Sequence, residues 1–174
     1  MIAREIQPPY GSGAGVRLGV CMLDTSVVVG IVRRHPPSLE LLARLRGGGA
    51  GGAGAQEGAE ARPGGRRVLP TLSAVVRYEA ERGVRSPEGR VRLGALLDHA
   101  EVMPFTGGDA TAAARIDRQL REAREPIGEL DVLIAGAALA RGVPLLTYNV
   151  RHFARVRGLA VWDAGAGGGA GTGA

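Results

Sequence analysis

Lysine is missing altogether from this chain of 174 residues: all 22 basic side chains are arginine, and against 17 acids they leave a formal net charge of +5. Such a balance permits a phosphate-bearing partner, because the guanidinium fork matches phosphate oxygens in pairs. It does not demand one, since 29 glycines and abundant Ala and Val suit a coding bias that favours arginine over lysine. Cysteine is nearly as scarce. A lone Cys21 forms no internal disulfide and no basic, apolar, small-residue leader opens the sequence, so a reducing cytoplasm is the expected compartment. Long apolar runs are missing too: 27–32 and 132–140 fall far short of the roughly 20 residues a spanning helix needs, and no membrane partner is expected. With one Trp, three Tyr and two Phe, a broad platform for stacking bases is excluded. Zinc is excluded as well, because His35, His99, His152 and Cys21 show neither His-Glu-x-x-His nor paired Cys-x-x-Cys spacing. The lack of a Gly-x-Ser-x-Gly elbow leaves acyl chemistry without support.

What is present suffices for one packed domain: 45% of the residues are hydrophobic, and the length suits a single core. Glycine is clustered, nine in 47–65 and six in 165–174. Both segments read as flexible and coreless, as does the non-periodic extension 1–16. The expected organisation is therefore an extension (1–16), a domain over 17–164 carrying the glycine-rich insertion 47–65, and a tail (165–174). The stretch Gly11–Gly15 is no phosphate loop, since it precedes the first strand and lacks a following Gly-Lys-Ser/Thr.

Short apolar runs alternate with stretches of 3.6-residue period. Strands are expected at 18–23, 67–70, 101–105, 144–148 and 160–162; helices at 26–34, 37–46, 72–83, 87–99, 109–123, 129–141 and 150–155. This βαβα order predicts an α/β fold: a mostly parallel sheet of about five strands with helices on both faces and ligands beyond the strands' carboxyl ends.

Four residues are candidates for chemistry at that edge. Asp24 ends the first strand, although Asp, Thr and Ser at 24–26 are also favoured helix N-caps. Glu79 falls on the inward stripe of Leu72, Val75 and Val76 behind a cap at Thr71; its other reading is a solvated Glu paired with Arg77 or Arg82. Asp131 opens the helix 129–141, either complementing its dipole or, beside Val132, Leu133, Ile134 and Ala135, binding something. Asn149 ends the strand before His152 and Phe153, where it is a site residue or a turn and cap residue. Three acids at one edge repel one another, and a hard divalent cation such as Mg2+ relieves them with oxygen ligands, retained waters and few protein carboxylates.

Taken together these segments resemble the PIN-domain ribonucleases, and within them the VapC-type toxins of prokaryotic toxin–antitoxin pairs. The resemblance covers about Leu18 to Asp163, apart from the glycine insertion. It rests on Leu23-Asp24-Thr25-Ser26, on Ser73 with Glu79 and Gly83, on Pro126-Ile127-Gly128-Glu129-Leu130-Asp131 with 132–135, and on Leu146-Thr147, Asn149, Arg151-His152-Phe153 and Gly158-Leu159. It implies a PIN-like three-layer α/β/α domain. It also implies Asp24 and Asp131 as magnesium ligands, Mn2+ being able to substitute, with Glu79 completing the acidic site and Asn149 at a fourth position where many relatives carry an acid. The neutral Asn149 points to a single resident ion. Thr25, Ser26 and Thr147 are implied to orient the carboxylates or a water. The implied reaction is hydrolysis of RNA, tRNA or mRNA, by a metal-activated water attacking in line and leaving a free 3′ hydroxyl. Arg33, Arg34, Arg77 and Arg151, close in sequence to these residues, are candidate backbone contacts. The implied partners are a second copy of the chain and a cognate antitoxin protein. Two other readings stand beside this one: a PIN-like RNA-binding or dimerisation module without turnover, and a phosphatase using Asp24 as nucleophile, which would want an Asp where Ser26 stands.

Overall fold

The computed structural model describes residues 20–47 and 70–165. Over them the chain forms β1 (Cys21–Leu23), α1 (Thr25–Val32), α2 (Pro36–Gly47), β2 (Pro70–Ser73), α3 (Ala74–Gly83), α4 (Pro87–Leu97), β3 (Glu101–Met103), α5 (Gly107–Glu122), α6 (Glu129–Arg141), β4 (Leu145–Thr147), α7 (Val150–Phe153) and β5 (Val161–Asp163). The sheet order is β3-β2-β1-β4-β5 and every pairing is parallel, so the expected α/β architecture forms with a sheet wholly, not mostly, parallel. Each residue of β1, β2 and β4 is buried. Because successive strand side chains point to opposite faces, that pattern requires helices on both sides, the three-layer α/β/α arrangement. Met22, Leu23, Leu72, Ile134, Leu145 and Phe153 fill its centre. Cys21 is buried with them, and burial pushes its thiol up to about 11, away from reactivity.

The order of the strands creates a switch point beside β1. From β1 the chain moves to β2 and β3 on one side, and α5 and α6 then return it to β4 and β5 on the other. The crevice beyond the carboxyl ends of β1 and β4 is where such a sheet admits a ligand.

Several boundaries differ from expectation. The second strand is described over Pro70–Ser73 where 67–70 was expected, and residues 67–69 lie outside the described ones. Proline can open a strand, and here it does. Thr71 is consequently not a helix cap: its hydroxyl donates to the Cys21 carbonyl at 2.8 Å. Ser73 caps α3 instead, accepting the Val76 N–H at 3.2 Å. Helix α5 starts at Gly107, two residues early, because Thr106 and Asp109 form a capping box. β3 stops at Met103, and β5 runs 161–163 where 160–162 was expected. The extension 1–16, the stretch 11–15 and nearly all of 47–65 and 165–174 lie outside the described residues.

Helices α5 and α6 pack most closely at Gly136, where a Cβ would stand 2.7 Å from both the Cβ and the N of Ala113 and 2.8 Å from the Asp109 carbonyl. Their far ends are joined by a buried ion pair, Arg141 to Asp109, and Arg141 also donates to the carbonyls of Ala137 at 2.9 Å and Pro104 at 2.7 Å. Burial alone would raise the Asp109 carboxyl, but the hydrogen bonds from Arg141 and Thr106 outweigh it and hold it below the ordinary value.

Gly136→Ala is expected to cost about 1–3 kcal/mol through overpacking, although alanine is the better helix former. A urea titration reads this, and a midpoint at or above wild type would contradict the contact. Asp109→Asn is expected to destabilise at neutral pH. Since the folded Asp109 carboxyl titrates below its unfolded value, its contribution is full above the unfolded value and is lost as pH falls through the folded one. Thermal melts of the two proteins should therefore converge in acid.

Candidate metal centre

Asp24 follows β1 directly and caps α1. Only 2% exposed, it is a carboxylate taken out of water, which is costly unless its oxygens are satisfied. Oδ1 accepts the Thr25 N–H at 2.7 Å. Oδ2 accepts the Ser26 hydroxyl at 2.6 Å and the Thr147 hydroxyl at 2.7 Å, with the Ser26 N–H at 3.4 Å. The two hydroxyls are fixed in turn, because Ser26 Oγ accepts the Tyr148 N–H at 3.1 Å and Thr147 Oγ1 accepts the Asn149 N–H at 2.8 Å. Oδ2 is thus fully used, while Oδ1 keeps a lone pair.

Glu79 reaches the same edge from α3. It is half-buried, and Thr25 Oγ1 donates to its Oε2 at 2.6 Å. The alternative pairing with Arg77 does not form, since Arg77 bonds Glu81 at 2.9 Å, and Arg82 lies over the Tyr78 ring. Asp131, in the first turn of α6, lies 3.3 Å from His152 Nδ1 of α7. Its carboxyl is raised above the ordinary value, chiefly by burial and further by the charge of Asp24, against the lowering effect of His152. The fold therefore brings Asp24 and Asp131 close enough for their charges to oppose, and ties Glu79 to Asp24 through Thr25.

Asn149 is exposed and begins α7 with no cap bond from its side chain. Its place at the carboxyl end of β4 is set by its N–H on Thr147. Arg33, Arg34, Arg77 and Arg151 are all exposed, but Arg33 and Arg34 follow the far end of α1, away from the carboxyl edge where that helix starts, and Arg77 is paired with Glu81. Two residues here carry no functional signal in the sequence reading. His152 enters that reading for lacking zinc spacing and as part of the Arg151-His152-Phe153 stretch, in neither case with a role, whereas α7 turns it onto Asp131. Asp163 ends β5 in register with Thr147, with its Oδ1 accepting the Gly165 N–H at 2.7 Å. The acid-at-strand-end signal that finds Asp24 would find it too, were β5 extended by one residue.

The donors suit a hard cation: all are oxygens, two carboxylates oppose each other, and Asp24 keeps one oxygen half free. Among the described residues no three His, Cys, Asp or Glu side chains form a group that could hold a metal ion, so an ion here would rest on the two opposed carboxylates and on retained waters. An open site suits Mg2+, which retains waters and commonly takes one or two protein carboxylates.

An all-parallel sheet in this order, with Asp24 and Asp131 opposing charges at its switch point, defines a doubly wound domain with an acidic carboxyl edge. The sequence matches the PIN domain family over residues 21–159, and the chain belongs to that family. It is similar to the tRNA(fMet)-specific endonuclease VapC of Shigella flexneri, 30% identical over 86 residues that cover 49% of this chain and 65% of that one. It is also similar to the ribonuclease VapC19 of Mycobacterium tuberculosis, 30% identical over 132 residues covering 76% of this chain and 90% of that one. The match to the Shigella protein thus spans just under two thirds of that relative's length. Of solved structures, the VapBC2 complex of Rickettsia felis bound to a promoter DNA fragment superposes with a TM-score of 0.64 at 24% identity, covering 83% of this chain and 98% of that one. At that identity the likeness establishes the fold.

A pH series on Asp131→Asn tests the electrostatics. Because the folded Asp131 carboxyl titrates above its unfolded value, ionising it weakens the metal-free fold as pH rises from the ordinary carboxylate range through the folded value. In a metal-free buffer the variant should therefore melt higher than wild type at neutral pH, and the gap should close in acid. A variant that melts lower at neutral pH would mean that Asp131 is held by a partner that outweighs its burial.

Proposed function

We propose that this chain is a magnesium-dependent endoribonuclease acting in the cytoplasm as the toxin of a toxin–antitoxin pair. Its substrate is RNA, with tRNA and mRNA both open, and it works as a homodimer restrained by a cognate antitoxin protein. The observation that carries the reading is the buried Asp24 carboxylate, held rigid across β1 and β4 and opposed by Asp131 at the switch point. The similar proteins named ribonuclease and tRNA(fMet)-specific endonuclease support RNA as substrate, and the VapBC complex supports an antitoxin partner. Among the described residues no helix is long and apolar enough to cross a membrane.

Asp24 through Oδ1 and Asp131 would hold the ion, with Glu79 completing the acidic set. Bound Mg2+, or Mn2+ in its place, supplies positive charge for the non-bridging phosphate oxygens and acidifies a water. Glu79 is clamped through Oε2, so Oε1 is the oxygen free to orient that water or take its proton. Thr25, Ser26 and Thr147 fix the carboxylates, and the neutral Asn149 limits the resident charge to what one ion needs. Asn149 is also the one observation favouring the rival reading, a PIN-like module without turnover.

Incubation of the purified protein with mixed RNA and Mg2+ is expected to give cleavage that a chelator abolishes, with 3′ hydroxyl ends identified by end sequencing. Thr147→Val, which removes one support of Asp24, should lower the rate by roughly 10–100-fold. Asp24→Asn and Asp131→Asn should lower it further while remaining folded by circular dichroism. Cleavage by Asp24→Asn at the wild-type rate would overturn the assignment, and absence of cleavage by wild type would favour the rival module.

A further inference from the structure

A second feature lies along α5 and shares no residue with the acidic set. A shallow cavity of about 350 Å³ is lined by Arg115, Arg118, Gln119 and Glu122 of α5, Leu139 of α6, and Arg157 of the loop before β5. Arg115, Arg118 and Glu122 follow i, i+3, i+7 spacing and so share one face of α5. All three arginines are exposed, and none forms an ion pair among the described residues. Glu122 is the only acid in the lining, and the neighbouring Asp117 is taken up by Arg121 at 2.8 Å.

The loop that brings Arg157 to this face is held on two sides. Gln119 donates through Nε2 to the Arg155 carbonyl at 2.8 Å and accepts the Arg157 N–H on Oε1 at 3.2 Å. One residue on, Gly158 turns at φ 79, where a Cβ would stand 3.7 Å from Leu139 Cδ1. Arg157 is therefore carried on a fixed backbone, and with Arg115 and Arg118 of α5 it lines one depression. Three arginines with no ion-pair partner among the described residues suit a phosphate, which accepts from the arginine fork in pairs.

We propose that this cavity holds a backbone phosphate of the RNA substrate, a few nucleotides from the bond that is cut. The proposal rests on the ribonuclease reading and extends it. Leu139 lies eight residues, about 12 Å of helix rise, beyond Asp131, and the other lining residues belong to α5 and the loop before β5, so a strand of a few nucleotides reaches from the acids to the cavity. A polyanion gains from such a site through counterion release. Gln119 is committed to the loop backbone, and contacts from the arginines to phosphate serve grip and register, not sequence.

The test measures binding of a labelled single-stranded oligoribonucleotide of mixed sequence by fluorescence anisotropy over a salt series, with a chelator present so that no cleavage occurs. Replacing all three arginines, R115Q/R118Q/R157Q, should weaken binding roughly tenfold and flatten the log–log salt slope by about 0.7 for each phosphate that is no longer neutralised. The charge-retaining R115K/R118K/R157K should keep most of the slope, and matching thermal melts of both variants would show that the fold is intact. With Mg2+ added, the glutamine variant should raise KM and leave kcat unchanged. Unchanged affinity and slope in R115Q/R118Q/R157Q would overturn the proposal. So would a variant that binds RNA normally but fails to bind an acidic peptide that wild type holds, which would assign the cavity to a protein partner. If wild type binds RNA with the expected slope difference but cleaves nothing, the ribonuclease reading fails and the phosphate site stands.

Discussion

The acidic edge is organised around one buried carboxylate. Asp24 sits where β1 gives way to α1, almost wholly removed from water, and an unsatisfied charge there would cost several kcal/mol even after relaxation, by order of magnitude. Its donors come from two parts of the chain far apart in sequence: Thr25 and Ser26 beside it, and Thr147 at the end of β4. The bonds that satisfy Asp24 also tie β1 to β4 at the switch point, where the backbone N–H of Asp24 meets the Leu146 carbonyl at 2.9 Å. Closing the sheet and setting the carboxylate are one event. Asp131 then approaches with the same charge, and the opposition between them is the feature a cation would relieve.

The remainder of the fold keeps Asp131 in that position. Helix α6 is nearly featureless in polarity after its first turn, with Val132, Ile134 and Ala135 buried beneath Asp131. It is pinned laterally by Gly136 against α5 and at its far end by Arg141 in the grip of Asp109 and two carbonyls. Gly142, at φ 63, ends the helix in the left-handed conformation that glycine adopts most easily and lets the Val143 N–H return to Ala138. A rigid hairpin of two helices thus presents a partly buried acid at a fixed height above the sheet. Some stability is given up at Asp131 and recovered in the hairpin.

The legibility of this arrangement in the sequence is uneven for physical reasons. Asp24 and Asp131 stand out because each interrupts an apolar segment at an element boundary, where local pattern is strongest. Glu79 is reached through helical spacing even though the start of its helix is misplaced: the period survives an error of two residues at the cap, and Val75 and Val76 are buried as the stripe requires. The cap itself falls to Ser73 and not to Thr71, because Pro70 reads as a stop signal when the parallel partner that makes it a strand opener is unseen. Contacts between residues more than a hundred positions apart leave no local trace. Ser26 and Thr147 gain a supporting role through the family resemblance alone; the structure adds that both aim at the same oxygen of Asp24. His152 with Asp131 and Arg141 with Asp109 are only 21 and 32 positions apart, yet they escape as well, since their partners are set by how α7 and α6 pack.

The central claim is that Asp24 and Asp131 share one divalent cation. Anomalous diffraction from a crystal soaked in MnCl2 addresses it directly. The account predicts a single strong peak lying between Asp24 Oδ1 and the Asp131 carboxylate, about 2.0–2.2 Å from each, as for small hard cations on oxygen. A peak elsewhere, or none while Asp131 stays turned onto His152, would contradict it.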